Sequence, residues 1–535
     1  MKQVYKLASF AIITCTIIMS ANSQLVAQTP GDTLLVEWYD ASAPGPFSNN
    51  LYDVIQADTT AEGERVPNRV YQLRQGGFYY TTEPIQNDGW HLNIVGNGPK
   101  EVEADGDNPP MIQMAVREDG NTPPKMFRIR GDFTLKDVIV NGKTTLGELK
   151  YEVLDVRADD ASFVFDNVIF EYAQWGIAGF YSNNADIWIT NSKFRNFLSE
   201  TQPWGGRAIS VWADADTVWV ENNTFMNIGG YTIQIEGSSP NLFMFNQNTI
   251  VNNGRQLILS SWIRDAYITN NLILNGFWHG ESTLEMTADR LSSTDEQYGG
   301  MFDIQTLPPE YGLDASRNIA IANNSFFLED EYKTYFSATK TGYEVREQPL
   351  FQQKVENLFT ENQNMVATGN LFDTQNPGFA NYPDNHAERI QYITDIRDAN
   401  SPVSFYYWDP NRASDNTSVQ WPLPEDLTYT NTELKSAAIG GYPLGDLNWY
   451  PSEKATWLAN REAQYDQIKD LLGEPIEITP AGFVEAEKGT LGGNAVVEAA
   501  QTRQVVRIEA AGNIVWEDVD MTAGTYDVTV SHRTW

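Results

Sequence analysis

Val218-Trp219-Val220-Glu221-Asn222-Asn223-Thr224-Phe225 is an octet in which two apolar residues alternate, an Asn follows, and a further apolar residue closes the phrase. The phrase returns at Phe133 to Val140, Phe163 to Phe170, Ile187 to Phe194 and Phe243 to Ile250, and twice more ending at Ile273 and Phe326. Its fifth position holds Asp137, Asn167, Asn191, Asn222, Gln247, Asn270 and Asn323, at successive intervals of 30, 24, 31, 25, 23 and 53 residues. A period in the twenties, made of short strands without helix, is the mark of a stacked solenoid.

Alternating apolar residues put one face of a short strand into a core. A residue tolerant of left-handed backbone then bends the chain, and the last apolar residue re-enters the interior. The repeat therefore predicts that the fifth-position side chains superpose, each amide donating to the next along the axis. A β-sandwich with Asn-rich hairpins is the competing fold. Hairpin turns favour Asn-Gly, and none of the seven fifth-position residues is followed by Gly.

The chain has 535 residues, enough for two or three ordinary domains or for one solenoid with an added module. It carries 71 acidic against 36 basic residues, a formal net charge of -35. Such a field repels nucleic acid and anionic membranes, which excludes both as expected partners. Residues 1–27 read as a secretory leader: Lys2 and Lys6 precede the apolar run Leu7 to Met19, and small residues follow. That run is too short for a comfortable membrane span, so no membrane insertion is expected and the protein is placed outside the cell or on its surface. Cys15, the only cysteine, lies inside the leader, so the mature chain has neither thiol nor disulfide.

The fold class expected is all-β. Residues 28–450 are read as a solenoid with an N-terminal helical cap around Leu51 to Ile55, a mostly irregular stretch from Asp105 to Pro124, and a polar interruption from Glu281 to Gly300. Residues 451–480 are a helix from Ser452 to Leu472 with its linker, opened by Pro451 and stopped by Gly473. The Trp- and Pro-rich tail before it is expected to pack along the solenoid flank. Residues 481–535 alternate like strands of an antiparallel sandwich, at about half the roughly 100 residues a sandwich needs.

The repeats resemble the right-handed parallel β-helix of the pectin-lyase superfamily, in particular secreted Bacteroidetes proteins that carry the phrase Gly441-Tyr442-Pro443-Leu444-Gly445-Asp446-Leu447-Asn448-Trp449. The last fifty residues are similar to the start of a β-sandwich carbohydrate-binding module, through Glu485-Ala486-Glu487 and Ala523-Gly524-Thr525-Tyr526. That second resemblance implies a structural calcium ion held by Glu485 and Glu487. The first implies three strands per coil, a polysaccharide as partner of a monomeric protein, and a substrate groove along the strand preceding the Asn-bearing one.

Alternation on those preceding strands points Asp155, Arg157, Ser210, Trp212, Gln234, Glu236, Ser260, Asp303 and Gln305 into the groove. The loops entering them bring Trp204, Arg207, Arg255, Trp278 and His279, the tryptophans suited to stacking on sugar rings. A polysaccharide lyase needs a cation against the uronate carboxylate and a base near the C5 proton, which assigns Arg207, Arg255 and His279 as catalytic candidates. Arginines that merely bridge local carboxylates on an acidic protein are the plainer account. A lyase on an acidic glycan is the leading reading, a non-catalytic carbohydrate-binding or adhesion solenoid the second, and a hydrolase with paired carboxylates the third. The Trp-Ile-Asp-His and Gly-His-Gly phrases of the family's pectate lyases and polygalacturonases are missing; Trp188-Ile189-Thr190-Asn191 stands nearest to the former.

Overall fold

The computed structural model describes residues 33–39, 50–100, 107–199, 202, 204–260, 262–283, 300–373, 375–410 and 421–472, and the strands 490–492, 495–500, 503–508 and 513–515. Residues 1–27, Glu485 and Glu487 lie outside the described residues. Two compact units divide the chain, residues 1–472 and 473–535.

One coil shows how the first unit is built. Glu152–Val156, Ser162–Asp166 and Ile169–Ala173 form three short strands separated by turns, and Gly176–Phe180 then begins the next coil in parallel register against the first strand. Repetition stacks the strands into sheets of eight, eleven and ten, parallel throughout. The expected three-stranded coil is thus present, and it starts earlier than the repeats suggest. Met111–Met114, inside the stretch read as irregular, is a strand of the ten-stranded sheet, because its apolar run pairs with Phe78–Thr81 and Ile139–Asn141. A helix, Leu51–Ala57, caps the first coils and buries Leu51 and Ile55.

The turn residues behave as expected in backbone and differently in side chain. Asp137, Asn167, Asn191, Asn222, Gln247, Asn270 and Asn323 all adopt left-handed φ between 54° and 59°. Among the described hydrogen bonds only one pair in that column, Asn167 Nδ2 to Asp137 Oδ1 at 2.7 Å, joins neighbours amide to acceptor. The continuous ladder runs one residue later. Asn223 donates to Asn248 (3.0 Å), Asn248 to Asn271 (3.0 Å), Asn271 to Asn324 (2.8 Å) and Asn324 to Asn370 (2.9 Å). Each of these amides also reaches a backbone carbonyl, such as Asn248 Nδ2 to Val220 O at 3.0 Å. The reason is geometric: the left-handed residue makes the bend, and the residue after it points back inside, where an unpaired amide would cost about 1–3 kcal/mol.

The fifth-position groups instead hold the C-terminal tail. Leu447 N donates to Asn222 Oδ1 (3.2 Å), Ile439 N to Asn270 Oδ1 (2.8 Å), and Asn323 Nδ2 to Ala437 O (2.9 Å). Around these bonds Met226, Val251, Leu272 and Leu274, on the outside of the ten-stranded sheet, pack against Phe379, Trp408, Leu427, Tyr429 and Leu444. On the eleven-stranded sheet Trp219 and Met244 meet Leu447, Trp457, Tyr465 and Ile468. The tail therefore does pack on the flank. The single helix expected after Pro451 is two, Pro451–Ala459 and Arg461–Lys469, broken at Asn460. Among the described residues these clusters take no member from the eight-stranded sheet, whose outer face is left as a separate surface.

The second unit contains two antiparallel pairs, Thr490–Gly492 with Asn513–Val515 and Ala495–Ala500 with Arg503–Ile508.

Candidate functional site

Parallel register fixes what the eight-stranded sheet presents. Inward stand Ile129, Val156, Phe180, Val211, Ile235 and Ile304; outward, in one column, stand Gln86, Arg128, Asp155, Gly179, Ser210, Gln234, Leu259 and Asp303. Ser260 shares the register of Ile235 and Ile304, and Leu259 occupies the column of Gln234 and Asp303.

Gly179 leaves the middle of that column without a side chain. A Cβ there would stand 2.6 Å from the Tyr181 ring and 3.1 Å from Glu152 Oε1, so a phenol and a carboxylate close on the bare backbone. Tyr151 stacks on Trp175 with centroids 4.8 Å apart, and Tyr181 lies parallel to Trp212 at 6.4 Å. Both phenols are held above the ordinary tyrosine range, first by burial, with Glu152 adding to the rise and Arg207 opposing it.

Arg207 joins this cluster from the entering loop. Its guanidinium lies 3.7 Å from the Trp175 ring centroid, donates to Gln234 Oε1, and is tied by Nε to Trp204 O at 3.2 Å. Gln234 also accepts from Ser210 Oγ (3.3 Å) and donates to Glu236 Oε2 (2.6 Å). Burial lowers the Arg207 pKa, against the pull of Tyr231, Glu236, Tyr151 and Glu152. Glu152 itself is paired with Lys125. Farther along the column Asp155 accepts from Arg130 (2.7 Å) and Arg157 (2.8 Å); burial disfavours its charge, but those two bonds outweigh burial and hold the carboxyl below its usual range. Arg157 also covers the outside of the Tyr181 ring at 4.2 Å. Arg128 is half-buried and makes no ion pair or hydrogen bond among the described residues.

Between Lys125 and Glu236 the outward side chains of these strands and their approaches thus set five cations (Lys125, Arg128, Arg130, Arg157, Arg207) against three carboxylates (Glu152, Asp155, Glu236). On a chain of net charge -35 this stretch, taken without its turns, carries more cations than carboxylates. Asp159, Asp160 and Asp214 lie on the turns beyond it.

The structure brings together Asp155, Arg157, Trp204, Arg207, Trp212, Gln234 and Glu236. It separates the remaining candidates from them. Arg255, two coils away, is buried with its guanidinium 5.2 Å from the core ring of Phe277. His279 and Trp278 are fully buried, edge to face at 4.2 Å, with the backbone of His279 accepting from Arg397 at 2.8 Å; the expected stacking role for Trp278 has no exposed ring to act through. Asp303 occupies its expected column on the last strand but is 1% exposed, and its carboxyl is pushed up to about 8 by burial, Lys354 opposing and Glu281 adding to the rise. Among the described residues no group of His, Cys, Asp and Glu is arranged to hold a metal ion.

Tyr151, Glu152, Trp175, Tyr181, Tyr231 and Arg128 were not singled out by alternation. A signal for three of them exists in the spacing. Tyr151 to Trp175 is 24 residues and Tyr181 to Trp212 is 31, the same steps as Asn167 to Asn191 and Asn191 to Asn222. Equivalent positions of successive coils therefore carry rings that must stack.

A family model described as a right-handed β-helix region matches residues 155–283, which span Gly179, Arg207, Gln234 and Glu236. With the parallel sheets, this makes the fold a right-handed parallel β-helix. No curated protein matches the chain.

Proposed function

We propose that this protein binds an extended acidic polysaccharide across the eight-stranded face and cleaves it by β-elimination over Gly179. One observation carries the reading: Arg207, Glu152, Tyr151 and Tyr181 gather around Gly179, where the sheet bears no side chain, between two stacked aromatic pairs. Adjacent coils are about 4.8 Å apart, so neighbouring sugar rings meet side chains of successive coils. The local excess of cations favours a polyanion over a neutral glycan.

In the proposed step a base takes the C5 proton of a uronate ring. The C–H electron pair becomes the C4–C5 double bond, the C4–O4 bond breaks, and the leaving oxygen takes a proton. Arg207 neutralises the uronate carboxylate, which stabilises charge developing at C5. The raised phenols stay protonated at neutral pH, which suits them to donate to the leaving oxygen and leaves Glu152 to accept the C5 proton. With the leader-like residues 1–27, the same reading makes this an exported protein acting on a glycan of the pectin-lyase kind.

The unsaturated product absorbs in the ultraviolet. Incubation with alginate, polygalacturonate and chondroitin is expected to raise that absorbance on at least one polymer, and Arg207→Ala or Glu152→Gln to reduce the rate by about two orders of magnitude or more. A flat trace on all three, with no binding in affinity electrophoresis, contradicts the proposal. Binding with a flat trace leaves the non-catalytic reading, which the aromatic pairs alone support.

A further inference from the structure

Beyond Gly179 the turns that follow the same sheet carry a further aromatic pair. Trp262 leaves the sheet just after the strand Ile258–Ser260, and Tyr311 closes the short 3-10 turn Pro309–Tyr311 that follows the strand Phe302–Ile304. Their rings stack with centroids 4.9 Å apart and 29° between planes, and both side chains are half-buried rather than enclosed. The pair is fixed to the groove. Tyr311 Oη donates to both Asp214 carboxylate oxygens (3.1 and 3.2 Å), and Asp214 also accepts from Ser239 N at 2.8 Å. Asp214 stands two residues after Trp212, so a single turn connects the ring beside Tyr181 to the ring beside Trp262. Close by, Arg264 is held by Ser239 Oγ at 2.9 Å.

We infer that Trp262 and Tyr311 form a remote sugar-stacking platform that selects for long acidic polysaccharide chains. The inference rests on the proposed groove and adds to it a second point of attachment. The strand before Trp262 lies three places along the sheet from the strand carrying Gly179, roughly 14 Å away at about 4.8 Å per strand. Tyr311 leans back from there onto Asp214, on the coil next to that of Gly179, so a chain held over Gly179 must run on past the Trp212 coil to lie across both rings. Stacked rings offer a flat apolar face at low entropic cost, since neither can rotate without breaking the stack or the Asp214 bonds. The rings sit where the polymer leaves the cationic stretch, and Arg264 keeps one positive charge beside them. Linking two contact areas along one ligand makes the second contact intramolecular, so its benefit grows with ligand length.

The test uses the full chain and length-fractionated oligosaccharides, from trisaccharide to octasaccharide, prepared from alginate, polygalacturonate and chondroitin, with affinity read by calorimetry. For a polymer that binds, Trp262→Ala is expected to weaken the octasaccharide about five- to tenfold, on the scale of a lost aromatic stack, and the trisaccharide less than twofold. Tyr311→Leu, which removes the other ring from a different element, must reproduce that length-dependent loss. Thermal unfolding of both variants separates lost binding from lost fold. Equal losses at both lengths, or none at the octasaccharide in variants that fold, overturn the platform while the groove stands. If the wild-type chain binds none of the oligosaccharides, the groove reading falls and takes the platform with it.

Discussion

At the scale of residues, the same chemical group does different work according to which way the backbone turns it. Asn222 and Asn223 are adjacent and identical, yet Asn222 is left-handed and meets the tail, whereas Asn223 enters the core ladder. Only the second repays burial by mutual donation. Asp303 shows the opposite case, a carboxylate buried on the groove sheet with one oxygen lacking a hydrogen bond. Its folded pKa of about 8 stands above the ordinary 3.8, so the folded state binds a proton that the unfolded chain has released. Stability from this residue is complete below about pH 4 and falls as pH rises toward 8. Asp303→Asn removes the titration, and the variant should gain melting temperature over the wild type as pH goes from 5 to 8. A constant difference across that range would contradict the assignment.

At the scale of elements, the segment from Ala437 to Trp449 acts as a strap that reads the outside of the Asn turns. Gly445 shows how closely it fits. Its φ is +83°, and a Cβ there would stand 2.3 Å from Thr249 Oγ1 and 2.9 Å from Leu272 Cβ, while its amide donates to Asn270 O at 2.9 Å. Gly445→Ala is expected to destabilise the protein by about 2–4 kcal/mol, from left-handed strain together with overpacking, measured by denaturant unfolding. No change in midpoint would mean the strap is not integral to the fold. The elements were unequally legible in the sequence. The octet gave the strands and their left-handed corners because period-2 alternation and a bend residue are local properties. The ladder was placed one residue early, since spacing locates a turn but not which of two adjacent amides faces inward. The strand at Met111–Met114 was hidden by flanking prolines, and the break at Asn460 by helix formers on both sides.

At the scale of the whole molecule, tail and solenoid together decide where a ligand has room. The ten- and eleven-stranded sheets bury their outer apolar residues under residues 379–408 and 427–468, and the eight-stranded sheet keeps a polar, aromatic face. Alternation was enough to find Asp155, Arg157, Trp212, Gln234 and Glu236 on that face, because Asp155 and Gln234 lie on strands and the other three directly follow one. Side chains in the connecting loops follow no such rule: Arg207 turns toward Gln234, while Arg255 and His279 are buried elsewhere. Gly179, the centre of the proposed site, was invisible to a search for reactive groups because its contribution is a missing side chain. The most direct test of the account is a crystal structure of the protein with an acidic octasaccharide from a polymer that it binds. Sugar rings crossing the eight strands, with a carboxylate on Arg207 and a ring beside the Tyr181–Trp212 pair, are the expected result; an oligosaccharide bound on another face, with no ring over Gly179, would contradict it.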